Sequence, residues 1–238
     1  ISVTPIPYGK DNYAYALHHA ATRSAVLIDA GDATSILAWC KANNVDKVTH
    51  VLSTHKHHDH TGGNHALVRA WPACVVVGGQ GEGVACVTRE VLGGQVLPGL
   101  LDGHVGVEVV AAPGHTRGSV MYLVTCADTS VLFSGDTIFR AGVGKFFERG
   151  ARDVLAVMDD LHARKLPEHT WLFSGHEYAL ANLQFAAQVM PDNAHVREEL
   201  ARVSELRGRG DGGESKCTVP TRLASEWQVN PFFRTRCE

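Results

Sequence analysis

The sequence predicts an α+β fold in which β-sheets are covered by helices and a small helical appendage follows. Three observations predict it. Short β-branched runs dominate the first three quarters of the chain, helical apolar stripes lie between them, and after about residue 178 helices replace strands.

Runs with strand character span 3–6, 14–18, 24–28, 48–53, 75–77, 107–112, 119–124, 130–133 and 171–174. Ile36, Leu37 and Cys40 mark a helix that ends near Asn43-Asn44, and Ala66, Leu67 and Ala70 mark another that Pro72 stops. Val154, Val157, Met158 and Leu161 recur at i, i+3, i+4 and i+7, a third helix. Leu180, Leu183, Ala187 and Met190 form one late stripe, and Val196, Leu200 and Val203 form another. The Gly-rich polar stretch 208–215 reads as a loop. Thr221 is placed to cap a last short helix that ends before Asn230-Pro231. No internal repeat is evident.

A length of 238 residues suits one large domain or a main domain with an appendage, and the 45% hydrophobic content suffices for a substantial core. A net charge of -3 argues against a nucleic-acid or membrane-surface binder, and no apolar run reaches the length of a membrane span. The chain begins at Ile1 with no charged-then-apolar leader, so any targeting segment has been removed or was never present. Six cysteines (Cys40, Cys74, Cys86, Cys126, Cys217 and Cys237) are scattered without a C-x-x-C pair, which predicts free thiols in a reducing compartment. The expected setting is cytoplasmic, with an organelle as the alternative, and the expected state is a monomer.

Residues 54–60 read Thr-His-Lys-His-His-Asp-His, with His55, His57, Asp59 and His60 all of metal-ligand type. Neutral imidazoles and carboxylates suit zinc, iron or manganese. One tight loop can hardly wrap four such groups around a single ion. In an extended segment His55 and His57 share a side, leaving Asp59 and His60 past the bend for a second ion. His58 and Lys56 read as solvated loop residues. The bland alternative is a histidine-rich loop without chemistry. Three further strands tip the balance. Each ends in a glycine followed by a ligand type: Pro113-Gly114-His115-Thr116, Ser134-Gly135-Asp136-Thr137 and Ser174-Gly175-His176-Glu177. If these strand ends gather at one edge, seven ligands converge.

The set T-H-x-H-x-D-H, P-G-H-T, G-D-T and G-H-E-Y resembles the metallo-β-lactamase superfamily and, within it, the glyoxalase II (hydroxyacylglutathione hydrolase) family. The likeness runs from Asp11-Asn12-Tyr13 and Asp29-Ala30-Gly31-Asp32, through Gly144-Lys145-Phe146-Phe147-Glu148, to Thr218-Val219-Pro220 and Asn230-Pro231-Phe232. The resemblance implies an αββα sandwich over residues 1–177 as the catalytic domain and a helical substrate-binding domain over 178–238. It implies two divalent metal ions per chain, alike or mixed. His55, His57 and His115 would hold one, and Asp59, His60 and His176 the other. Asp136 would bridge them, and Asp29 would support the site without ligating. Lys145 and Tyr178 match positions that contact the glutathione moiety. Phe147 stands where the family often has a phenol, and Arg149-Gly150 where it usually has Gly-Thr. The family continues into a segment with an Arg and a Lys for the glycine carboxylate. No residue here matches them, so a further segment follows or the thiol is bound differently, with Arg234 and Arg236 as the nearest substitutes.

Two cations sharing a water lower its pKa from 15.7 to about 7, supplying hydroxide at neutral pH. With Asp59 and Asp136 as the catalytic carboxylates, that hydroxide would attack a thioester carbonyl. A thiol of pKa about 8.5 then leaves without strong acid assistance. The expected reaction is hydrolysis of S-(2-hydroxyacyl)glutathione, typified by S-D-lactoylglutathione, to a 2-hydroxy acid and free thiol. Alternatives are a thioester of another thiol carrier, and a persulfide dioxygenase-like oxidation at one iron, which retention of Asp59, His60 and His176 disfavours. A purely structural metal site would be expected to use cysteine-rich ligands.

Overall fold

The computed structural model describes residues 1–127, 129–208 and 217–235. The first sheet takes, in spatial order, β1 (Ser2–Tyr8), β2 (Asn12–His19), β3 (Ser24–Ile28), β4 (Lys47–Leu52), β5 (Val75–Gly79) and β6 (Arg89–Val91). β1, β2 and β3 run antiparallel, and β3 to β6 run parallel. The second half of the chain forms β7 (Val96–Leu100), β8 (Val105–Ala111), β9 (Val120–Cys126) and β10 (Thr129–Gly135). A two-stranded ribbon of β11 (Ile138–Phe139) and β12 (Gly142–Val143) follows, then β13 (Trp171–Ser174) and β14 (Thr221–Arg222). The second sheet has the order β14-β13-β10-β9-β8-β7, with β10 and β13 parallel and its other pairs antiparallel.

Period-two alternation builds the core between the sheets. Tyr13, Tyr15 and Leu17 of β2 face inward with Val107, Val109, Tyr122 and Phe133, while Ala14 and Ala16 face outward. The outer face of the first sheet carries α1 (Ala33–Ala42) and α3 (Asn64–Ala70), through Ile36, Cys40 and Leu67. Asp32 caps α1 by accepting from the Ser35 N–H at 2.7 Å. Short α2 (His58–Thr61) precedes α3. The outer face of the second sheet carries α4 (Ala151–Ala163) and α7 (Leu223–Val229), through Val154, Val157, Met158, Leu161 and Leu223. The order of layers is therefore αββα. Beyond it, α5 (Ala179–Val189) and α6 (Ala194–Gly208) pack with α7 through Leu183, Ala186, Val196, Val203 and Val229.

The nine expected strands and the expected helices are present, with ends shifted by a few residues. β6, β7, β11, β12 and β14 are additional. β7 escapes a propensity reading because it contains Pro98 and Gly99; it survives as an edge strand, where proline's missing donor is tolerated. Thr221 does not cap α7. It pairs with Leu172 in β14, and Arg222 precedes the helix without a side-chain cap. Cys40, Cys74, Cys86, Cys126 and Cys217 are free thiols. Arg236, Cys237 and all of the Gly-rich stretch but Gly208 lie outside the described residues.

The Asn230-Pro231-Phe232 segment has a structural task. Asn230 Nδ2 donates to the Gly142 carbonyl at 3.0 Å, and Glu226 accepts from the Ala141 N–H at 2.7 Å, so α7 holds the β11–β12 turn. Glu226 is fully buried, and that burial raises its carboxyl from 4.5 to about 7, against the Ala141 N–H, Asn230 and Arg140; the Glu199 carboxylate adds to the rise. The protonated folded form is fully favoured below pH 4.5 and loses its advantage as pH rises to 7, a change of about 3 kcal/mol. Glu226→Gln should flatten unfolding free energy across that window, measured by denaturant titration at several pH values. An unchanged slope would place the ionisation elsewhere.

Candidate metal centre

Four strand ends place the seven ligand-type side chains. β3 is followed directly by Asp29, whose left-handed backbone (φ 50°) turns its carboxylate toward the segment that follows β4. Asp29 accepts from the Thr54 N–H at 2.7 Å and the Thr54 hydroxyl at 2.8 Å, and this fixes His55. Tyr122 of β9 donates to the Ser53 carbonyl at 2.9 Å, and the Val120 N–H to the Thr54 carbonyl at 2.9 Å, tying this segment to the second sheet. α2 then carries Asp59 and His60 back toward His55.

β10 ends at Gly135 and delivers Asp136. A side chain at Gly135 would strike Thr54, its Cβ lying 2.7 Å from that of Thr54, and its φ of 50° also favours glycine. β13 delivers His176 after Gly175, whose N–H donates to the Gly135 carbonyl at 2.8 Å. A Cβ on Gly175 would stand 2.6 Å from His60 Cε1 and collide with Asp136. β8 leads to His115. These glycines let ligand-bearing loops approach one another closely.

The side chains meet in three overlapping groups: His55, His57 and His115; His55, His60 and Asp136; and Asp59, His60 and His176. In each, the candidate ligand atoms lie within 4.8 Å of one another. His57 Nδ1 is 3.0 Å from His55 Nε2 and 2.9 Å from His115 Nε2. Asp136 Oδ2 is 3.4 Å from His115 Nε2 and 3.3 Å from His176 Nε2, so one carboxylate faces both triads. Asp59 Oδ2 is 3.4 Å from His176 Nε2 and 3.8 Å from His60 Nε2. Asp136 Oδ1 is buried without a hydrogen-bond partner, as an acceptor aimed at a cation would be. This nitrogen and oxygen donor set suits a divalent metal ion.

The protonation pattern is uneven. Burial, with the charge of His60, pulls His55 well below its ordinary pKa, and burial lowers His115 as well. Burial also opposes the charged form of His60, but Asp136 and Asp29 outweigh it and hold that imidazole well above its usual range. His176, despite burial, is raised to about 10 by Asp136, Asp59 and Asp11. The His176 hydrogen bond holds the Asp59 carboxyl well below the carboxylate range. Protons thus supply positive charge on one side of the cluster, and a bound cation would displace them.

Aromatic residues frame the mouth. Phe147 is exposed and packs edge-on against His57 and His115, at 6.0 and 5.1 Å between centroids. Tyr178 stacks on His176 at 4.9 Å, with Phe139 edge-on against it at 5.1 Å. Lys145 is exposed with its ammonium 5.7 Å from the Phe147 ring, and its carbonyl accepts from His115 Nδ1 at 2.9 Å. Arg234 instead donates to the Trp227 carbonyl at 3.3 Å, and no contact among the described residues joins it to the cluster. Lys56 is not simply solvated. It pairs with Glu148 at 2.6 Å, and Glu148 also accepts from the Arg117 N–H at 2.8 Å, joining three site loops. Sequence reasoning missed these ties, along with Glu82, which is buried and accepts from the N–H groups of Lys56 and Gly118 at 3.2 and 2.8 Å. Tyr8, which donates to the Asp59 carbonyl, was also missed.

Comparison with known proteins places the chain in a family. Residues 12–176 match the family model of the metallo-beta-lactamase superfamily, and residues 177–238 match that of the hydroxyacylglutathione hydrolase C-terminus. A hydroxyacylglutathione hydrolase of Nitrosomonas eutropha is 37% identical, over 98% of this chain and 86% of the relative. One of Pseudomonas savastanoi pv. phaseolicola is 35% identical, over 99% and 87%. The crystal structure of ETHE1 from Myxococcus xanthus superposes with a TM-score of 0.63 at 26% identity, over 90% of this chain and 93% of that one. The chain belongs to the hydroxyacylglutathione hydrolase family of the metallo-β-lactamase superfamily.

Proposed function

We propose that this member of the hydroxyacylglutathione hydrolase family hydrolyses S-(2-hydroxyacyl)glutathione thioesters of the S-D-lactoylglutathione type to a 2-hydroxy acid and free thiol. The observation that carries the reading is one carboxylate, Asp136, facing two triads of nitrogen and oxygen ligands beneath an aromatic-rimmed mouth. His55, His57 and His115 would hold one divalent ion, and Asp59, His60 and His176 a second, with Asp136 between them. Ions held there supply a Lewis acid for the thioester carbonyl and acidify water toward neutral pH.

The chain's own residues position both reactants. Asp59 and Asp136 remain ionised and acceptor-only, so they orient a water's protons away from the carbonyl it approaches. Phe147 and Tyr178 line opposite sides of the entrance, one over each triad. Tyr178 offers a hydroxyl, and Lys145 an ammonium, to the peptide part of the thiol. The thiolate departs without an acid because it is itself a weak base, its thiol having a pKa of about 8.5. Residues 1–177 thus carry the chemistry, and 178–238 contribute Tyr178 and the helices behind it. Intact Asp59, His60 and His176 geometry favours two ions over a single iron.

Purified protein should release thiol from S-D-lactoylglutathione, read with a disulfide reagent, and contain two metal equivalents by elemental analysis. A strong chelator should abolish turnover, and divalent zinc, iron or manganese should restore it. Metal-loaded protein that opens a lactone while releasing no thiol from this thioester would overturn the substrate assignment.

A further inference from the structure

The two triads are backed by different neighbours. In the first, His55 turns its Nδ1 to the Thr54 hydroxyl at 3.1 Å, and His115 its Nδ1 to the Lys145 carbonyl at 2.9 Å. Both partners are neutral. In the second, His60 Nδ1 lies 3.0 Å from Asp29, and His176 Nδ1 lies 3.0 Å from Asp11 Oδ1. The second triad's exposed ligand, Asp59, is held by Asn12 Nδ2 at 3.1 Å.

Asp11 lies in the β1–β2 turn, which the paired strand ends Tyr8 and Asn12 close, and the Tyr8 hydroxyl donates to the Asp59 backbone carbonyl. Gly31 permits that approach, since any side chain there would strike both Tyr8 and Asp59. The turn is itself fastened beside His176: Asn12 bridges to His176, the Glu177 N–H donates to the Asp11 carbonyl at 2.8 Å, and the Tyr13 N–H to the Gly175 carbonyl at 2.9 Å. One surface turn therefore touches two of the three second-triad residues, and the contacts that back the first triad do not involve it.

We infer that the β1–β2 turn is a latch for the second of the two ions, with Asp11 and Asn12 as its positioning residues. The inference rests on the two-ion reading above. Asp11 fixes the His176 ring with Nε2 toward the cluster and makes that nitrogen a better donor, while Asn12 holds one rotamer of an otherwise half-exposed Asp59. Loss of either loosens one side of the centre and leaves the other set.

Metal-free protein titrated with cobalt(II) alone, followed calorimetrically and by visible absorption, tests this. Wild-type protein should take up two equivalents. Asp11→Asn and Asn12→Ala should bind the first unchanged and the second more weakly, by roughly ten- to a hundredfold. Asp11→Glu should recover part of the loss, because a carboxylate returns. A merely structural role for the turn would weaken both equivalents together and lower the melting temperature of the metal-free protein. That result, or two equivalents bound as in wild type, overturns the latch and leaves the two-ion reading standing. Wild-type protein that saturates at one equivalent overturns both.

Discussion

Asp136→Ala should lose turnover by about a thousandfold or more and fail to retain a full complement of metal, while its circular dichroism stays that of the wild type. The reason is placement. Among the described residues Asp136 is the one carboxylate within 3.4 Å of both His115 and His176, so its removal damages both triads at once. Several kcal/mol of transition-state stabilisation depend on that arrangement, and each 1.4 kcal/mol is about tenfold in rate. Asp136 is also one of the charges that hold His60 and His176 above their ordinary pKa. Without it the metal-free cluster binds fewer protons, so the fold does not inherit an uncompensated charge. Asp136→Asn, which keeps the shape and one acceptor oxygen, should still lose most activity because the neutral amide is a poor metal ligand. Hydrolysis at the wild-type rate in either variant, measured by thiol release, would sink the assignment of this residue.

The sequence made the ligands legible because each ligand-bearing segment begins within a few residues of a strand end. His115, Asp136 and His176 come immediately after Gly114, Gly135 and Gly175, and a strand that stops in a glycine turn announces where its next side chain is delivered. The layers were legible too, through period-two runs such as Tyr13, Tyr15 and Leu17. What stayed hidden was the set of groups that hold the ligands. Asp11 meets His176 across 165 residues, and Lys56 meets Glu148 across 92. Such pairs have no local signature, since each partner alone is an ordinary polar loop residue. The sheet edges were hidden for a different reason. β7 and β14 are defined by a neighbour's unpaired backbone, not by their own side chains, and neither Pro98 nor the dipeptide Thr221-Arg222 reads as strand.

Asp29→Ala should be among the most destabilising substitutions in the chain, although Asp29 stands outside both triads. Its side chain is almost wholly buried, and it serves three groups: the Thr54 N–H, the Thr54 hydroxyl and His60 Nδ1. Alanine leaves all three without that partner where water cannot replace it, at a cost of about 3 kcal/mol or more. A further ~1 kcal/mol comes from the backbone, because φ at this position is 50° and alanine lacks the short polar side chain that eases a left-handed residue. For a chain of this length the melting temperature of the metal-free protein should fall on the order of 10 °C. Asp29→Asn tolerates the backbone and keeps one acceptor, so it should lose less stability. It also presents an amide where His60 faces a carboxylate, and should weaken metal retention nearly as much as alanine does. Melting curves of the metal-free variants, set beside their metal content, separate the two contributions. If Asp29→Ala melts within about 2 °C of wild type, the buried carboxylate is not the group that holds the Thr54 segment and His60 together.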